Sequence, residues 1–262
     1  MDKETADTTT VHSILRVIRL PDLFSMLNAM LGFGAIILVL DDRRGTGTTM
    51  ATALILILLA AVLDGLDGIV ARALESSLLG EFLDSLADMV SFGIAPAILA
   101  YVFITDSSGL AAPYSALALA IGGSYIICGM LRLARFNANL LVTSAHEQRE
   151  RSDEFLGFPI TGSAMFLASF MLLITGLPIP PVTSAALLIG VMALLCSLMT
   201  SRIRYHKLRD RRITVTVGLI FLALFLSYLL SFGFVYLAFV VLALTAFYMC
   251  SPLLYVGVKK VI

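Results

Sequence analysis

The sequence predicts an all-α protein, a polytopic bundle of about eight transmembrane helices with an interfacial helix before the first span. Two observations predict this class. The 262 residues are 59% hydrophobic and 14% charged, whereas soluble domains are about 45–50% apolar. The apolar residues also fall into runs close to the ~20 residues that a helix needs to cross a hydrocarbon core about 30 Å thick.

Breaks that contain glycine or proline separate the apolar runs, for example at Gly45, Gly109 and Pro178. Six runs form a predicted core at 23–200, and the last two form a hairpin within 201–262. The predicted spans are 23–40, 49–71, 81–104, 113–135, 157–177, 181–200, 213–231 and 233–256.

The chain before the first span has two predicted parts. Residues 1–10 are polar and are expected to be a disordered tail. In 11–22, apolar residues alternate with Arg16 and Arg19 at a spacing typical of a short amphipathic helix in the membrane interface. Pro21 is expected to end that helix and turn the chain into the membrane.

Basic residues give the predicted orientation. Eight spans place both termini and every second loop on one side, and of the 18 Lys and Arg residues all but Arg43 and Arg44 fall there. Cytoplasmic loops carry such an excess, so both termini are predicted to be cytoplasmic. Lys and Arg match the 18 Asp and Glu in number, and this balance argues against a nucleic-acid partner.

Four aspartates, Asp64, Asp67, Asp84 and Asp88, lie in the second and third predicted spans. One Asp near the middle of a membrane helix costs about 2.5–3.5 kcal/mol, so four would cost on the order of 10 kcal/mol unless shielded. Asp64 and Asp67 are three residues apart and Asp84 and Asp88 four apart, so each pair lies on one helix face. Such a cost indicates a functional site.

Carboxylates without a nearby His or Cys suit Mg²⁺ or Mn²⁺ better than Zn²⁺. Two ions about 3.5–4 Å apart, held by shared carboxylates, are typical of phosphoryl-group displacement. Gly65 and Gly68 would let a nucleotide approach the helix closely, and the guanidinium of Arg72 would face a phosphate. The alternative is that the acids pair with basic residues at a helix end, for which Arg72 alone offers few partners.

At these residues the sequence resembles the CDP-alcohol phosphotransferase family, whose signature is D-x-x-D-G-x-x-A-R followed by G-x-x-x-D-x-x-x-D. Seven residues separate the two halves here, where eight are usual. Upstream, Asn28 matches a family motif in which Asp22 and Ser25 replace Asn and Thr. The matching signature positions are Asp64, Asp67, Gly68, Ala71, Arg72, Gly80, Asp84 and Asp88.

Three further runs resemble the family's serine phosphatidyltransferase branch, which makes phosphatidylserine or, in archaea, archaetidylserine. They are 91–97 (SFGIAPA), 132–137 (RLARFN) and 155–159 (FLGFP). Arg132 and Arg135, three residues apart, could hold a carboxylate or a phosphate. They could equally be ordinary membrane anchors. Ser91 and Asn137 complete the predicted acceptor-binding set, although Ser91 could instead serve helix packing.

The resemblance implies transfer of the lipid phosphoryl group from CDP-diacylglycerol or CDP-archaeol to the hydroxyl of L-serine, with release of CMP. It implies two Mg²⁺ or Mn²⁺ ions on the four aspartates, with Asp88 also acting as the catalytic base. It also suggests a homodimer in a lipid membrane, with the active site on the cytoplasmic side. The implied CDP-binding residues are Asn28, Asp64, Gly68, Ala71, Arg72 and Gly80.

Two other functions remain open. A sister enzyme of the same family would use glycerol 3-phosphate or inositol phosphate as the acceptor, which requires further basic residues near the acceptor pocket. A divalent-cation transporter would also place acids within spans. Its acids would be expected at corresponding positions of two repeated halves, whereas these four lie in two successive spans.

Overall fold

A computed structural model describes residues 20–42, 48–74, 78–108, 112–145, 154–206 and 234–259. The described chain is almost entirely helical. A π-helical segment, Met89–Ile94, joins α3 to α4 without a break. The elements are α1 (Leu20–Asp41), α2 (Thr48–Leu74), α3 (Leu78–Asp88), α4 (Ala95–Ser108), α5 (Ala112–Ala145), β1 (Glu154–Leu156), α6 (Ile160–Thr175), α7 (Pro181–Thr200), β2 (Arg204–His206) and α8 (Phe234–Lys259).

The predicted helical membrane architecture is confirmed. Five helical stretches within the described residues are long and apolar enough to cross a membrane, and α6 and α8 contain shorter apolar helices. The chain is therefore an integral membrane protein. The predicted span at 213–231 lies outside the described residues, so the count of eight stays a prediction.

The predicted segments before α1 lie mostly outside the described residues. The tail at 1–10 and residues 11–19 of the interfacial helix are not described, whereas Leu20 to Asp22 form the start of α1. Pro21 lies in the first helical turn, where a missing N–H costs no hydrogen bond.

The third span contains a wide turn immediately after Asp88. The N–H of Ala95 donates to the carbonyl of Val90, five residues back, as in a π-helix. Pro96 follows and cannot donate a backbone hydrogen bond, so the turn accommodates a residue that would interrupt a regular helix. Because a π-helical turn contains an extra residue, the residues of α4 lie on a different face of the span from the one that a continuous α-helix would give them.

Two short strands add to the all-helical prediction. β1 precedes α6, β2 follows α7, and the two pair antiparallel with Phe155 opposite Tyr205. The pair joins the start of α6 to the end of α7. Three-residue strands carry too little periodicity to be recognised in a sequence.

The helices pack around a central π-helical segment. It contacts α1, α5 and α6, while α1 also packs against α2 and α3, and α2 and α8 pack against α6. Leu54, Phe92 and Leu167 are fully buried in this core. Large apolar side chains on the outer face of α1, such as Met30 and Phe33, are exposed, as expected for contact with lipid.

Candidate active site

Three of the four predicted aspartates converge. Asp64 comes from α2, and Asp84 and Asp88 come from one face of α3. Each offers a carboxylate oxygen, and these oxygens all lie within 4.8 Å of one another. Asp88 is buried, and Asp64 and Asp84 are half-buried. Helical spacing within α3 and the packing of both α2 and α3 against α1 therefore produce one acidic cluster.

The side chains of Asp67, Ala71 and Arg72 lie outside the described residues, although α2 continues through all three positions. Asp67 follows Asp64 by three residues on this helix, which keeps the two on one face. Their predicted roles in metal and CDP binding stay predictions.

Asn28 connects α1 to the acidic cluster. Its side-chain amide donates a hydrogen bond of 3.3 Å to Oδ1 of Asp88. Asn28 is fully buried, and its own Oδ1 accepts no hydrogen bond within the described part of the chain. A buried acceptor without a donor is costly, so this oxygen is suited to a donor from a bound ligand.

Ser91 lies at the contact between α1 and the π-helical segment. It is fully buried, and its hydroxyl donates a 2.7 Å hydrogen bond to the main-chain carbonyl of Asn28. A Cβ at Gly32 would lie 2.5 Å from the Ser91 Oγ, so this glycine allows α1 to approach the π-helical segment closely. Ser91 thus ties these two elements together, and acceptor binding by it stays a prediction.

The predicted acceptor residues on α5 do not point to a single place. The Arg132 guanidinium interacts electrostatically with Asp88 and Asp64, and its Nε has no hydrogen-bond partner among the described residues. Arg135 instead donates a 3.4 Å hydrogen bond to the Ser201 carbonyl at the end of α7. Arg132 therefore faces the cluster, whereas Arg135 contacts the end of α7.

Asn137 faces α3 beside the acids. Its side-chain oxygen accepts a 2.9 Å hydrogen bond from the hydroxyl of Ser85, which directly follows Asp84 in sequence. This contact holds the C-terminal end of the predicted acceptor segment, 132–137, against α3, which carries Asp84 and Asp88.

Glycine leaves room on the cluster side of α2. A Cβ added at Gly68 would meet no atom within 4 Å, so packing within the described structure does not require a glycine there. Gly80 lies in the first turn of α3. The open space beside Gly68 is compatible with a ligand that approaches the α2 backbone.

The cluster has the chemistry of a divalent-cation site. Its donors are carboxylate oxygens, which Mg²⁺ and Mn²⁺ prefer. Two unit charges 4 Å apart interact by about 4 kcal/mol at an effective dielectric constant of 20. Three carboxylates within 4.8 Å therefore repel one another strongly, and a bound cation relieves that repulsion. The residues fit the predicted metal.

Two hydrogen-bond donors at the site were not predicted from the sequence. Thr161 at the start of α6 donates a 3.2 Å hydrogen bond to Oδ2 of Asp64, and Ser85 supports Asn137. Thr161 is 97 residues from its partner, so no local spacing could reveal the contact. By contrast, Asp22 and Ser25 share a buried face of α1 with Asn28, a pattern that their spacing of three residues could have indicated.

Comparison with known proteins identifies what the chain is similar to. Residues 18–202 match the family described as CDP-alcohol phosphatidyltransferase. Archaetidylserine synthase of Methanothermobacter thermautotrophicus is 36% identical over 187 residues, which cover 70% of each chain. CDP-diacylglycerol–serine O-phosphatidyltransferase of Methanocaldococcus jannaschii is 34% identical over 75% of this chain and 78% of the relative. The Saccharomyces cerevisiae protein of the same name is 36% identical, over 56% of this chain and 51% of its own length.

Proposed function

Because this chain belongs to the CDP-alcohol phosphatidyltransferase family, we propose that it transfers the phosphatidyl or archaetidyl group of a CDP-activated lipid to the hydroxyl of L-serine and releases CMP. The observation that carries this proposal is the convergence of Asp64, Asp84 and Asp88 at the positions of the family signature. The enzyme would thus act in phospholipid biosynthesis.

The acidic cluster would hold two divalent ions, Mg²⁺ or Mn²⁺. Asp64, Asp67 and Asp84 would be the main ligands, and Asp88 would complete the second site. When bound, such ions neutralise the diphosphate and favour departure of CMP. The converging carboxylate oxygens support this assignment.

The nucleotide would lie along α2 and the start of α3. A Cβ at Gly68 would meet no described atom within 4 Å, which leaves room for a ligand. Gly68, Ala71 and Gly80 would border the cytidine and ribose. Arg72 would face the diphosphate. The side-chain oxygen of Asn28, which has no hydrogen-bond partner among the described residues, would accept a hydrogen bond from the bound substrate.

Asp88 would accept the proton of the serine hydroxyl as that oxygen attacks the phosphorus bearing the lipid. The P–O bond to CMP breaks as the new P–O bond to serine forms. The Asn28 amide, which donates to Asp88, would keep this carboxylate oriented. Asp88 is buried, so few water molecules would compete with serine for it.

Arg132 is the best-placed candidate to bind the serine carboxylate, because its guanidinium already interacts with Asp88 and Asp64. Asn137 would border the pocket on the α3 side through its hydrogen bond with Ser85, and Arg135 keeps its predicted place in the acceptor set. Ser91 keeps its predicted place in the acceptor set, although its hydrogen bond to the Asn28 carbonyl favours a packing role.

Serine is preferred as the acceptor because relatives at 34–36% identity are named for serine or archaetidylserine products. Glycerol 3-phosphate and inositol phosphate enzymes are not favoured, and neither is a cation transporter. Both ester and ether lipid chains would meet the same apolar surroundings, so CDP-diacylglycerol and CDP-archaeol are both proposed donors.

We further propose that residues 23–200 form the catalytic core and that 201–262 add a C-terminal hairpin and tail. The excess of basic residues on one side supports cytoplasmic termini and a cytoplasmic active site. A homodimer is proposed from the family resemblance.

The decisive experiment measures CMP release from proteoliposomes that contain the purified protein and either CDP-diacylglycerol or CDP-archaeol. Serine, glycerol 3-phosphate and inositol phosphate are added separately, with and without Mn²⁺. We expect CMP release with serine, dependent on the metal. Release with glycerol 3-phosphate but not serine would replace the proposed acceptor, and metal-independent release would contradict the proposed site.

A further inference from the structure

We propose that Thr161 is a positioning residue of the metal site, whose hydroxyl holds the Asp64 carboxylate in the orientation that binds a divalent cation. This role rests on the proposed function, which requires a cation on Asp64. It adds to the site a residue that lies outside both halves of the family signature.

The first support is the direct contact. Oγ1 of Thr161 donates a 3.2 Å hydrogen bond to Oδ2 of Asp64, and the Asp64 oxygens belong to the cluster shared with Asp84 and Asp88. A carboxylate without such a bond rotates about its Cβ–Cγ bond. Hydrogen bonds from neighbouring groups restrict that rotation and are a common way to orient metal ligands.

The second support is a contrast with three other helical threonines of the described chain. The hydroxyls of Thr105, Thr200 and Thr245 donate to carbonyls four residues back in their own helices, namely those of Tyr101, Cys196 and Val241. This local bond is how threonine usually satisfies its hydroxyl in a helix. Thr161, as the second residue of α6, has no carbonyl of its own helix four residues back, and its hydroxyl donates instead to a carboxylate on another helix, 97 residues away.

The third support is the rigid attachment of Thr161. It is the second residue of α6, and the two residues before the helix are Phe158 and Pro159. The N–H of Gly157 donates to the Ile203 carbonyl at 2.8 Å, and the N–H of Phe158 donates to the Leu198 carbonyl at 3.0 Å. The start of α6 is therefore fixed to the end of α7 and to the chain that enters β2.

Aromatic packing reinforces this attachment. Phe158 is fully buried, and its ring centroid lies 5.4 Å from that of Tyr205 and 5.9 Å from that of Tyr248. The Tyr205 and Tyr248 rings are also in contact, at 5.8 Å. The segment before α6, β2 and α8 thus pack together at Phe158. This packing limits the movement of nearby Thr161 away from Asp64.

The test compares Thr161→Val with Thr161→Ser. Valine keeps the branched shape and removes the hydroxyl, whereas serine keeps the donor. Thr245→Val is the matched control, because it removes a buried hydroxyl that bonds its own helix. Each purified protein is stripped of metal and titrated with Mn²⁺, and free Mn²⁺ is measured by electron paramagnetic resonance. Thermal unfolding without metal is recorded in parallel.

We expect the Mn²⁺ dissociation constant to rise about 10–100-fold in Thr161→Val, with an unchanged melting temperature in the metal-free state. Thr161→Ser and Thr245→Val should bind Mn²⁺ like the wild type. The proposal is overturned if Thr161→Val binds Mn²⁺ as tightly as the wild type, or if Thr245→Val weakens binding equally.

Failure of the proposed function has a different signature. If wild-type protein binds Mn²⁺ and Thr161→Val does not, yet serine never releases CMP, the positioning role stands and the assigned reaction falls. If serine releases CMP but Thr161→Val retains full Mn²⁺ affinity, only the positioning role falls.

Discussion

The close contact between α1 and the π-helical segment gives the sharpest structural prediction. In Gly32→Ala, the new Cβ would lie 2.5 Å from Oγ and 2.6 Å from Cα of Ser91. These distances are about 0.9 Å short of the 3.4 Å at which ordinary contact begins. The Cα belongs to the main chain and cannot rotate away, so α1 must move.

The movement has a calculable effect on the site. The hydrogen bond from Asn28 to Asp88 is already 3.3 Å long, and a further ~0.9 Å places these atoms beyond hydrogen-bonding range. Overpacking costs about 1–3 kcal/mol, and a buried polar group left without its partner costs about 1–3 kcal/mol. We expect Gly32→Ala to lose about 2–6 kcal/mol of stability and most of its turnover.

The assay is thermal unfolding in detergent together with CMP release. Gly34→Ala is the matched control on the same helix, because its Cβ would meet only a side-chain carbon of Leu56 at 3.8 Å. That variant should resemble the wild type in both measurements. Equal stability and equal activity of Gly32→Ala and Gly34→Ala would contradict this prediction.

Three further predictions concern the site and its support. Asp88→Asn should lower the rate of CMP release by about 10²–10⁴-fold while CDP-lipid binding survives with weaker metal affinity; full activity would remove its role as base. Gly68→Leu should raise the KM for CDP-lipid without lowering the melting temperature, because the added side chain enters open space; Gly190→Leu on α7, also beside open space, should leave this KM unchanged. Gly157→Ala should lower the melting temperature, because φ is +81° and its Cβ would lie 2.5 Å from the Met199 carbonyl oxygen; an unchanged melting curve would contradict the assigned strain.

Much of the architecture follows from hydropathy and helical spacing. Every predicted span that falls within the described residues coincides with a helix, because runs of about twenty apolar residues bounded by Gly and Pro have few other structures in a membrane. The spacing of Asp84 and Asp88 likewise predicts a shared face. Most helix ends differ from the predicted ends by one to four residues. The largest difference is in α5, which continues to Ala145, ten residues past the predicted end, because Arg132 and Arg135 end the apolar run without ending the helix.

Other features depend on contacts between distant residues. The π-helical turn after Asp88 adds one residue to a helical turn, and no periodicity in SFGIAPA signals it. The pairing of Glu154 with His206 and the bond from Thr161 to Asp64 join segments that are far apart in sequence. Such pairings are specified by the packing of whole helices, so a single sequence predicts the helices more readily than the contacts between them.

The strand pair also sets an order of events during synthesis. β1 cannot pair until β2 has been made, and β2 ends at His206 of a 262-residue chain. Proteins fold from the N-terminus onward during synthesis. Asp64 is therefore made long before the β1–β2 pair, which holds the start of α6 and its Thr161. The hydroxyl of Thr161 therefore joins Asp64 only after the helices that carry Asp64, Asp84 and Asp88 have been made.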